Sequence, residues 1–276
     1  NIGNGSWMAV IDYATGNIAF NQFTNTPHAG WSIRSNILNE STNYAVYDKR
    51  DKWLVLGADS SSNIMTSDTT YMYKHSNQPD TDAEWGPLPT NGLTRGSVTT
   101  IANISDASNA MFYLNDDGET WSGIGNTVFD ISVKKTFWNK KMWVAVGEGT
   151  MNTLATSIDG INWTGKGKVF SEYGADVLYY KGTWMAVGMD VSSNRCIAYS
   201  TDDGSTWSYS TSTIFDGKVN GVVYYNNKWW VCGLSSTYHM AHSSDNGVTW
   251  TGVNAIALSN MAQANSLATD GITLMV

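Results

Sequence analysis

The sequence predicts an all-β fold: a β-propeller of four-stranded antiparallel blades, six or seven in number, with seven favoured. Three observations predict it. The chain is 42% hydrophobic and 12% aromatic against 14% charged, rich in Thr, Val, Tyr and Trp and poor in strong helix formers, which suits pleated, half-buried strands. A tryptophan-bearing strand recurs at a nearly constant interval. No stretch sustains a 3.6-residue hydrophobic period; apolar residues alternate or run in short blocks bounded by Gly, Asn, Asp or Lys, the pattern of strands and tight turns.

The recurring strand reads "SWMAVI", "KWLVLG", "MWVAVG", "TWMAVG" and "KWWVCG", aligned on Trp7, Trp53, Trp143, Trp184 and Trp229 with separations of 46, 90, 41 and 45. The gap of 90 hides one further copy, expected near Val98 in "GSVTTIANIS", and "ITLMV" places a last copy at Leu274. Before each copy stands a short strand and a tight turn, as in "ADVLYYKGTWMAVG" and "NGVVYYNNKWWVCG". After it come a loop, a third strand and a turn closed by a tryptophan: Trp31, Trp85, Trp121, Trp163, Trp207 and Trp250. A unit of this size cannot bury both faces of its own sheet, so copies must stack, and four-strand units stacked radially leave only short edges. A linear β-solenoid would show a shorter period. The chain opens almost at a second strand and ends on two strands of a repeat, so residues 1–276 read as one propeller domain within a longer chain.

The third strand leads into "AYSTDDGSTWS" and "AHSSDNGVTWT", where Ser200, Asp202, Gly204, Thr206 and Trp207 repeat as Ser243, Asp245, Gly247, Thr249 and Trp250. A degraded copy, "LNDDGETW", keeps Asp116, Gly118, Thr120 and Trp121 but has Leu114 for the serine; "SIDGINW" is one residue shorter around Asp159, Gly160 and Trp163. The copies ending at Trp31 and Trp85 keep only the tryptophan. Such a motif is a turn device: the short Asp side chain accepts backbone N–H bonds, Gly supplies positive φ, and Trp buries a large face. These aspartates, glycines and tryptophans are therefore expected to be structural.

This motif, with "WxAVG" ahead of it, resembles the Asp-box (BNR) repeat of propellers found in sialidases, photosystem assembly factors, sortilin-type receptors and many secreted, phage and large-virus proteins. It lacks the GH and WD dipeptides of WD40 repeats. The resemblance implies an exported or virion-surface module that recognises a glycan or a protein surface, on its own or in a larger assembly. It also implies two alternatives, a sialidase-like glycoside hydrolase and an assembly-factor-like protein-binding propeller.

The residue inventory argues against catalysis. A sialidase-type site is expected to need three convergent arginines and a Tyr–Glu pair. The chain has only Arg34, Arg50, Arg95 and Arg195, none in an Arg-Ile-Pro context, and its glutamates Glu40, Glu84, Glu119, Glu148 and Glu172 are expected in turns and loops. His239 and His242 in "YHMAHSS" would point to opposite faces of a strand, and no loop has EF-hand spacing. No catalytic residue, metal site or cofactor is expected. The net charge of -8 repels phosphate backbones and anionic lipid, which excludes nucleic acid and a membrane surface as partners, and no apolar run is long enough to insert. Cys196 and Cys232 are expected as buried small hydrophobes. The sequons at Asn4, Asn39, Asn103 and Asn162 matter only for a chain that enters a secretory pathway.

Recognition residues are not legible individually. Trp138, Tyr71, Tyr73, Tyr173, Tyr209 and Tyr238 stand out as aromatics beyond the repeat's needs, whereas Tyr179, Tyr180, Tyr224 and Tyr225 recur in step and read as packing. The longest departure from the repeat, residues 66–96, is the first place to expect a partner-binding segment.

Overall fold

The computed structural model describes residues 7–10, 18–21, 32–34, 42–48, 52–57, 64–67, 72–74, 90–95, 99–104, 108–114, 121–191, 195–253, 264–269 and 274–275. Every strand pairing among them is antiparallel, and no helix is present among them. Two compact units divide the chain, Asn1–Gly125 and Asn126–Val276.

In the first unit, β1 (Trp7–Val10), β2 (Ile18–Asn21) and β3 (Ser32–Arg34) form a three-stranded sheet. A second sheet runs β4 (Thr42–Asp48), β5 (Lys52–Gly57), β6 (Ile64–Ser67), β7 (Met72–Lys74), and a third β8 (Thr90–Arg95), β9 (Thr100–Ile104), β10 (Phe112–Leu114), β11 (Trp121–Gly123). Each is a meander in sequence order, as short connections between neighbouring strands dictate.

The second unit repeats the plan. The fourth sheet is β12 (Ser132–Trp138), β13 (Trp143–Glu148), β14 (Leu154–Ser157), β15 (Thr164–Gly165); the fifth is β16 (Tyr173–Tyr180), β17 (Thr183–Met189), β18 (Ile197–Ser200), β19 (Ser208–Tyr209). The sixth is β20 (Lys218–Tyr225), β21 (Lys228–Leu234), β22 (Met240–Ser243), β23 (Thr251–Val253), and β24 (Ala268–Thr269) pairs with β25 (Leu274–Met275). Consecutive sheets touch through single strand pairs, Glu148↔Tyr173 and Met189↔Lys218. The fourth strand of each is two or three residues long, too short to template edge-to-edge association.

Register fixes which residues are equivalent. Trp53, Trp143, Trp184 and Trp229 pair with Ser67, Ser157, Ser200 and Ser243. In the third sheet the same pairing joins Thr100 to Leu114, so the concealed copy centres on Thr100; Val98 itself lies outside the described residues. In the second sheet Ser67 pairs with Met72 at the start of the fourth strand. Met72 therefore holds the place the sequence assigned to Trp85, which lies outside the described residues. The departure 66–96 narrows to 75–89, because β6 and β7 supply its beginning and β8 its end.

A β-bulge interrupts the first strand of all five four-stranded sheets at one position, between Thr42/Tyr44, Thr90/Gly92, Val133/Lys135, Gly174/Asp176 and Val219/Gly221. It explains the repeat's terminal glycine. The bulged strand presses onto the second strand so closely that a Cβ on Gly147, Gly188 or Gly233 would stand 2.2, 2.2 or 2.3 Å from a carbonyl oxygen of the first strand. Bulges of this kind bend a strand and raise its twist.

The core lies between sheets. Trp184 of the fifth sheet is buried with Val144, Val146 and Leu154 of the fourth, and Trp229 of the sixth with Met185, Val187 and Ile197 of the fifth. The large apolar faces of Trp184 and Trp229 thus leave water by covering the sheet that precedes each.

Candidate functional site

The repeated acids come first. In the fifth sheet the Ser200 hydroxyl donates to Asp202 Oδ1 (2.7 Å) and accepts from the backbone N–H groups of Asp202 (3.4 Å) and Gly204 (2.9 Å). Asp202 in turn accepts from Thr206 N–H at Oδ1 (3.0 Å) and Thr206 Oγ1 at Oδ2 (2.7 Å). The sixth sheet copies this: Gly247 N–H to Ser243 Oγ (2.9 Å), Ser243 Oγ to Asp245 Oδ1 (2.7 Å), Thr249 N–H to Asp245 Oδ1 (2.9 Å), and Thr249 Oγ1 to Asp245 Oδ2. Two consecutive residues in each turn have positive φ, Asp203 (57°) with Gly204 (76°) and Asn246 (59°) with Gly247 (90°), a conformation Gly, Asn and Asp adopt most cheaply.

The shortened turn of the fourth sheet keeps the same acceptors. Ser157 Oγ holds Gly160 N–H (2.9 Å), and Asp159 Oδ1 holds the N–H groups of Ile161 and Asn162 (both 2.8 Å). The Asn162 side chain donates to Asp159 Oδ2 (2.8 Å), taking the part of the missing threonine hydroxyl. Trp163 and Trp250 donate their indole N–H to Gly160 O (3.0 Å) and Gly247 O (3.1 Å); Trp207 Nε1 is buried with no hydrogen-bond partner. Asp116 and Gly118 lie outside the described residues, while Trp121 and Leu114 are buried.

Charge follows from these bonds. Burial opposes ionisation of Asp159, but donors from Asn162, Ile161 and Ser157 bring its carboxyl down to about 2. Thr206, through backbone and hydroxyl, and then Ser200 bring Asp202 to about 2. For Asp245 burial again opposes, and Thr249 and Ser243 outweigh it downward. A carboxylate saturated with donors and held this low is not a general acid near neutral pH.

The turns of the fifth and sixth sheets lean on the sheet before them. Thr211 N–H and Oγ1, at the end of the fifth sheet, both donate to Val248 O (3.0 Å each), and Ser212 Oγ accepts from Trp250 N–H (3.0 Å). Gly247 abuts Met185 and Tyr199, Gly204 abuts Thr156 and Met142, and Lys141 is ion-paired with Asp203.

A second repeated device escaped the sequence reading. Asp130 accepts from Thr150 N–H (2.6 Å), Ser171 Oγ from Val191 N–H (3.1 Å) and Asp216 from Ser236 N–H (2.6 Å). Each acceptor sits two residues before a first strand and ties down the loop after the second strand. The signal was present as Ser or Asp at that offset.

Four of the aromatics singled out from sequence are engaged in contacts within the fold. Trp138 pairs with Trp143 at 5.2 Å between ring centroids, the place Tyr179 and Tyr224 hold against Trp184 (5.0 Å) and Trp229 (5.3 Å), so it is a repeat position and not a surplus aromatic. Tyr209 donates to Val169 O (2.9 Å) beneath the Arg195 guanidinium, 5.1 Å from its ring. Tyr173 lies under Lys134 Nζ at 5.8 Å, and Tyr238 covers Gly252, whose Cβ would stand 2.5 Å from its ring. Tyr71 lies outside the described residues, and Tyr73 is in β7.

His239 precedes β22 and His242 lies within it against Trp230 (5.0 Å); burial, then Lys228, lowers the latter's pKa. Among the described residues no cluster of three metal-ligating side chains occurs. Glu148 ends β13, 3.8 Å from Lys134 Nζ, rather than lying in a loop. Arg34 and Arg95 fall in β3 and β8, and Arg50 lies outside the described residues. Cys196 and Cys232 are buried thiols pushed up to about 11 and about 12 by burial, which makes them unreactive. Asp176 is raised by burial and offset by Lys135; it accepts from Val222 N–H (3.1 Å) and so bridges the first strands of the fifth and sixth sheets. A pocket lined by Arg195, Cys196, Ile197, Ser210, Ser212 and Phe215 has a cavity volume of about 10 Å³, room for about one water molecule and far below the roughly 300 Å³ at which small-molecule sites begin.

No protein-family model and no curated protein matches this sequence. Among solved structures the chain is similar to a computationally designed propeller, Ika8, at a TM-score of 0.64 and 8% identity over 95% of this chain and 75% of that one. It is likewise similar to YCF48, an Asp-box propeller solved bound to a D1 peptide, at a TM-score of 0.61 and 14% identity over 98% of this chain and 92% of that one. The fold is therefore all-β, antiparallel and propeller-like.

Proposed function

We propose that this chain is a non-catalytic recognition module whose partner is a protein, bound through connections at one end of the sheets, and that it works outside the cytoplasm or on a virion as part of a larger assembly. One observation carries the reading: the repeated carboxylates of Asp159, Asp202 and Asp245 are consumed by holding turns. Their donors are backbone N–H groups and neighbouring hydroxyls, and Asp159 and Asp202 stay ionised down to about pH 2. The protein class of partner is supported by the likeness in fold to YCF48, whose solved form carries a peptide. Fold alone does not assign function. All 276 residues are taken as one propeller domain of six or seven blades.

The test is a direct one. The intact chain is applied to a peptide array and a glycan array and incubated with fluorogenic glycosides. Saturable binding to peptides with no turnover is the expected result. Glycoside turnover abolished by Glu148→Gln or Glu172→Gln, or binding confined to glycans, overturns it.

A further inference from the structure

The turns that follow the third strands of the fourth, fifth and sixth sheets each place a glycine after an aspartate or asparagine: Asp159–Gly160, Asp203–Gly204 and Asn246–Gly247. Turn geometry selects these letters. Gly160, Gly204 and Gly247 have φ of 80°, 76° and 90°, and Asp203 and Asn246, ahead of the last two, have φ of 57° and 59°, a region that Gly, Asn and Asp enter at least cost. Met185 enforces the choice at Gly247, where a Cβ would stand 2.3 Å from its Cε.

Such a pair carries a chemical hazard. The side-chain carbonyl carbon of Asn or Asp can close a five-membered ring with the next backbone nitrogen, and a following glycine has no Cβ to hinder the approach. At Asn246 the Gly247 nitrogen would attack Cγ: a C–N bond forms, the Cγ–Nδ2 bond breaks, and ammonia leaves with the Gly247 proton. Water then opens the imide at either carbonyl, to aspartate or to isoaspartate.

The fold aims that nitrogen elsewhere. Gly247 is buried, its N–H donates to Ser243 Oγ (2.9 Å), and its carbonyl accepts the Trp250 indole N–H (3.1 Å). The N–H groups of Gly204 and Gly160 are held by Ser200 and Ser157 Oγ at the same 2.9 Å. To close the ring, the peptide between residues 246 and 247 must turn away from Ser243, which strands a buried donor. Asn246 itself is exposed, so only this bond and its burial stand against the reaction.

We propose that Asn246 is a deamidation site held shut by the Ser243 hydroxyl, and that the turn serines, Ser157 and Ser200 included, guard these glycine peptides against covalent ageing. The two products differ in consequence. Aspartate at position 246 reproduces the fifth-sheet turn, which has Asp203 there at nearly the same φ; isoaspartate adds a backbone methylene and displaces the Thr249 and Trp250 that close the turn.

Peptide mapping by mass spectrometry of the intact chain, aged at mildly alkaline pH, tests it against a synthetic peptide of residues 240–252. Asn246 should gain the mass of deamidation about tenfold or more slowly in the chain than in the peptide, and Ser243→Ala should remove most of that difference. Asn220, which precedes Gly221 in β20 and donates its amide to Ala264 O (2.8 Å), is read in the same digests and should stay unmodified, which separates local release from unfolding. Asp203→Asn supplies a second check with every turn serine in place: an asparagine there should age as slowly as Asn246. Deamidation of Asn246 at the peptide's rate in the unaltered chain, no acceleration by Ser243→Ala, or modification at position 203 at the peptide's rate overturns the proposal. If Ser243→Ala releases Asn220 as well, that variant has unfolded and the Asp203→Asn chain decides.

Discussion

The turn of the sixth sheet, from Ser243 to Trp250, and the turn of the fourth, from Ser157 to Trp163, solve one problem at two lengths. The longer has two left-handed residues and a threonine that donates backbone N–H and hydroxyl to Asp245; the shorter has a single left-handed glycine and an asparagine that donates backbone and amide N–H to Asp159. In both, the serine hydroxyl caps a buried glycine N–H at 2.9 Å and the indole closes on that glycine's carbonyl. What is preserved is the set of acceptors and the side of the sheet on which Trp lands, while spacing is free to change. The fifth-sheet turn departs differently: it has the longer spacing but leaves the Trp207 indole N–H without a partner.

The largest expected difference between the two lengths lies in the closing tryptophan. Trp250 is buried, at 7% exposure, and Trp163 only half-buried; Trp250→Ala should cost about 3–5 kcal/mol and Trp163→Ala clearly less, read from denaturant midpoints. Equal losses would mean that the indoles act locally and not by covering the neighbouring sheet. Next come Ser243→Ala and Ser157→Ala, each of which strands a buried glycine N–H, at about 1–3 kcal/mol. If the shorter turn loses much less, its equivalence fails.

Acid separates the turns by charge. The carboxyls of Asp159 and Asp202 are depressed to about 2 in the folded chain against about 3.9 unfolded. Stability from them is complete above the unfolded value and is lost as pH falls through the folded one, so melting temperature should decline from about pH 4 toward about 2. Asp159→Asn and Asp202→Asn should flatten that limb. The smallest effect expected is from Trp→Phe: Trp250→Phe gives up an indole bond to Gly247 and should cost about 0.5–1.5 kcal/mol more than Trp207→Phe, which gives up none.

Much of this was legible in the amino-acid order. The interval between tryptophans marks the second strands, because a large ring must cover the preceding sheet at the same place each time, and Leu274 pairs with Thr269 at the position the interval gives it. The third copy slid by two residues because Thr100 and Leu114 replace the Trp and Ser that would have marked it. Trp85 misled for the opposite reason: a tryptophan stands near the right interval, but Met72 closes the hairpin. The bulges left no recognisable spelling, since the extra residue is Asn43, Asn91, Lys134, Ala175 or Asn220 in turn, and the Asp130, Ser171 and Asp216 ties left only a single Ser or Asp at a fixed offset, each bonded to a residue 20 positions on. The left-handed Lys140 and Lys181 were equally hidden, because positive φ belongs to the hairpin and not to the letter that fills it.

In the second unit, Trp184, Trp229 and the turns behind them all reach toward the sheet that comes earlier in the chain. Polypeptides leave the ribosome amino end first, at a pace that lets early portions settle before later ones emerge. A newly extruded sheet here meets a seat already made, so its exposed indole has somewhere to go at once. Vectorial synthesis and the direction of packing thereby agree, which shortens the time that adhesive surface stays uncovered.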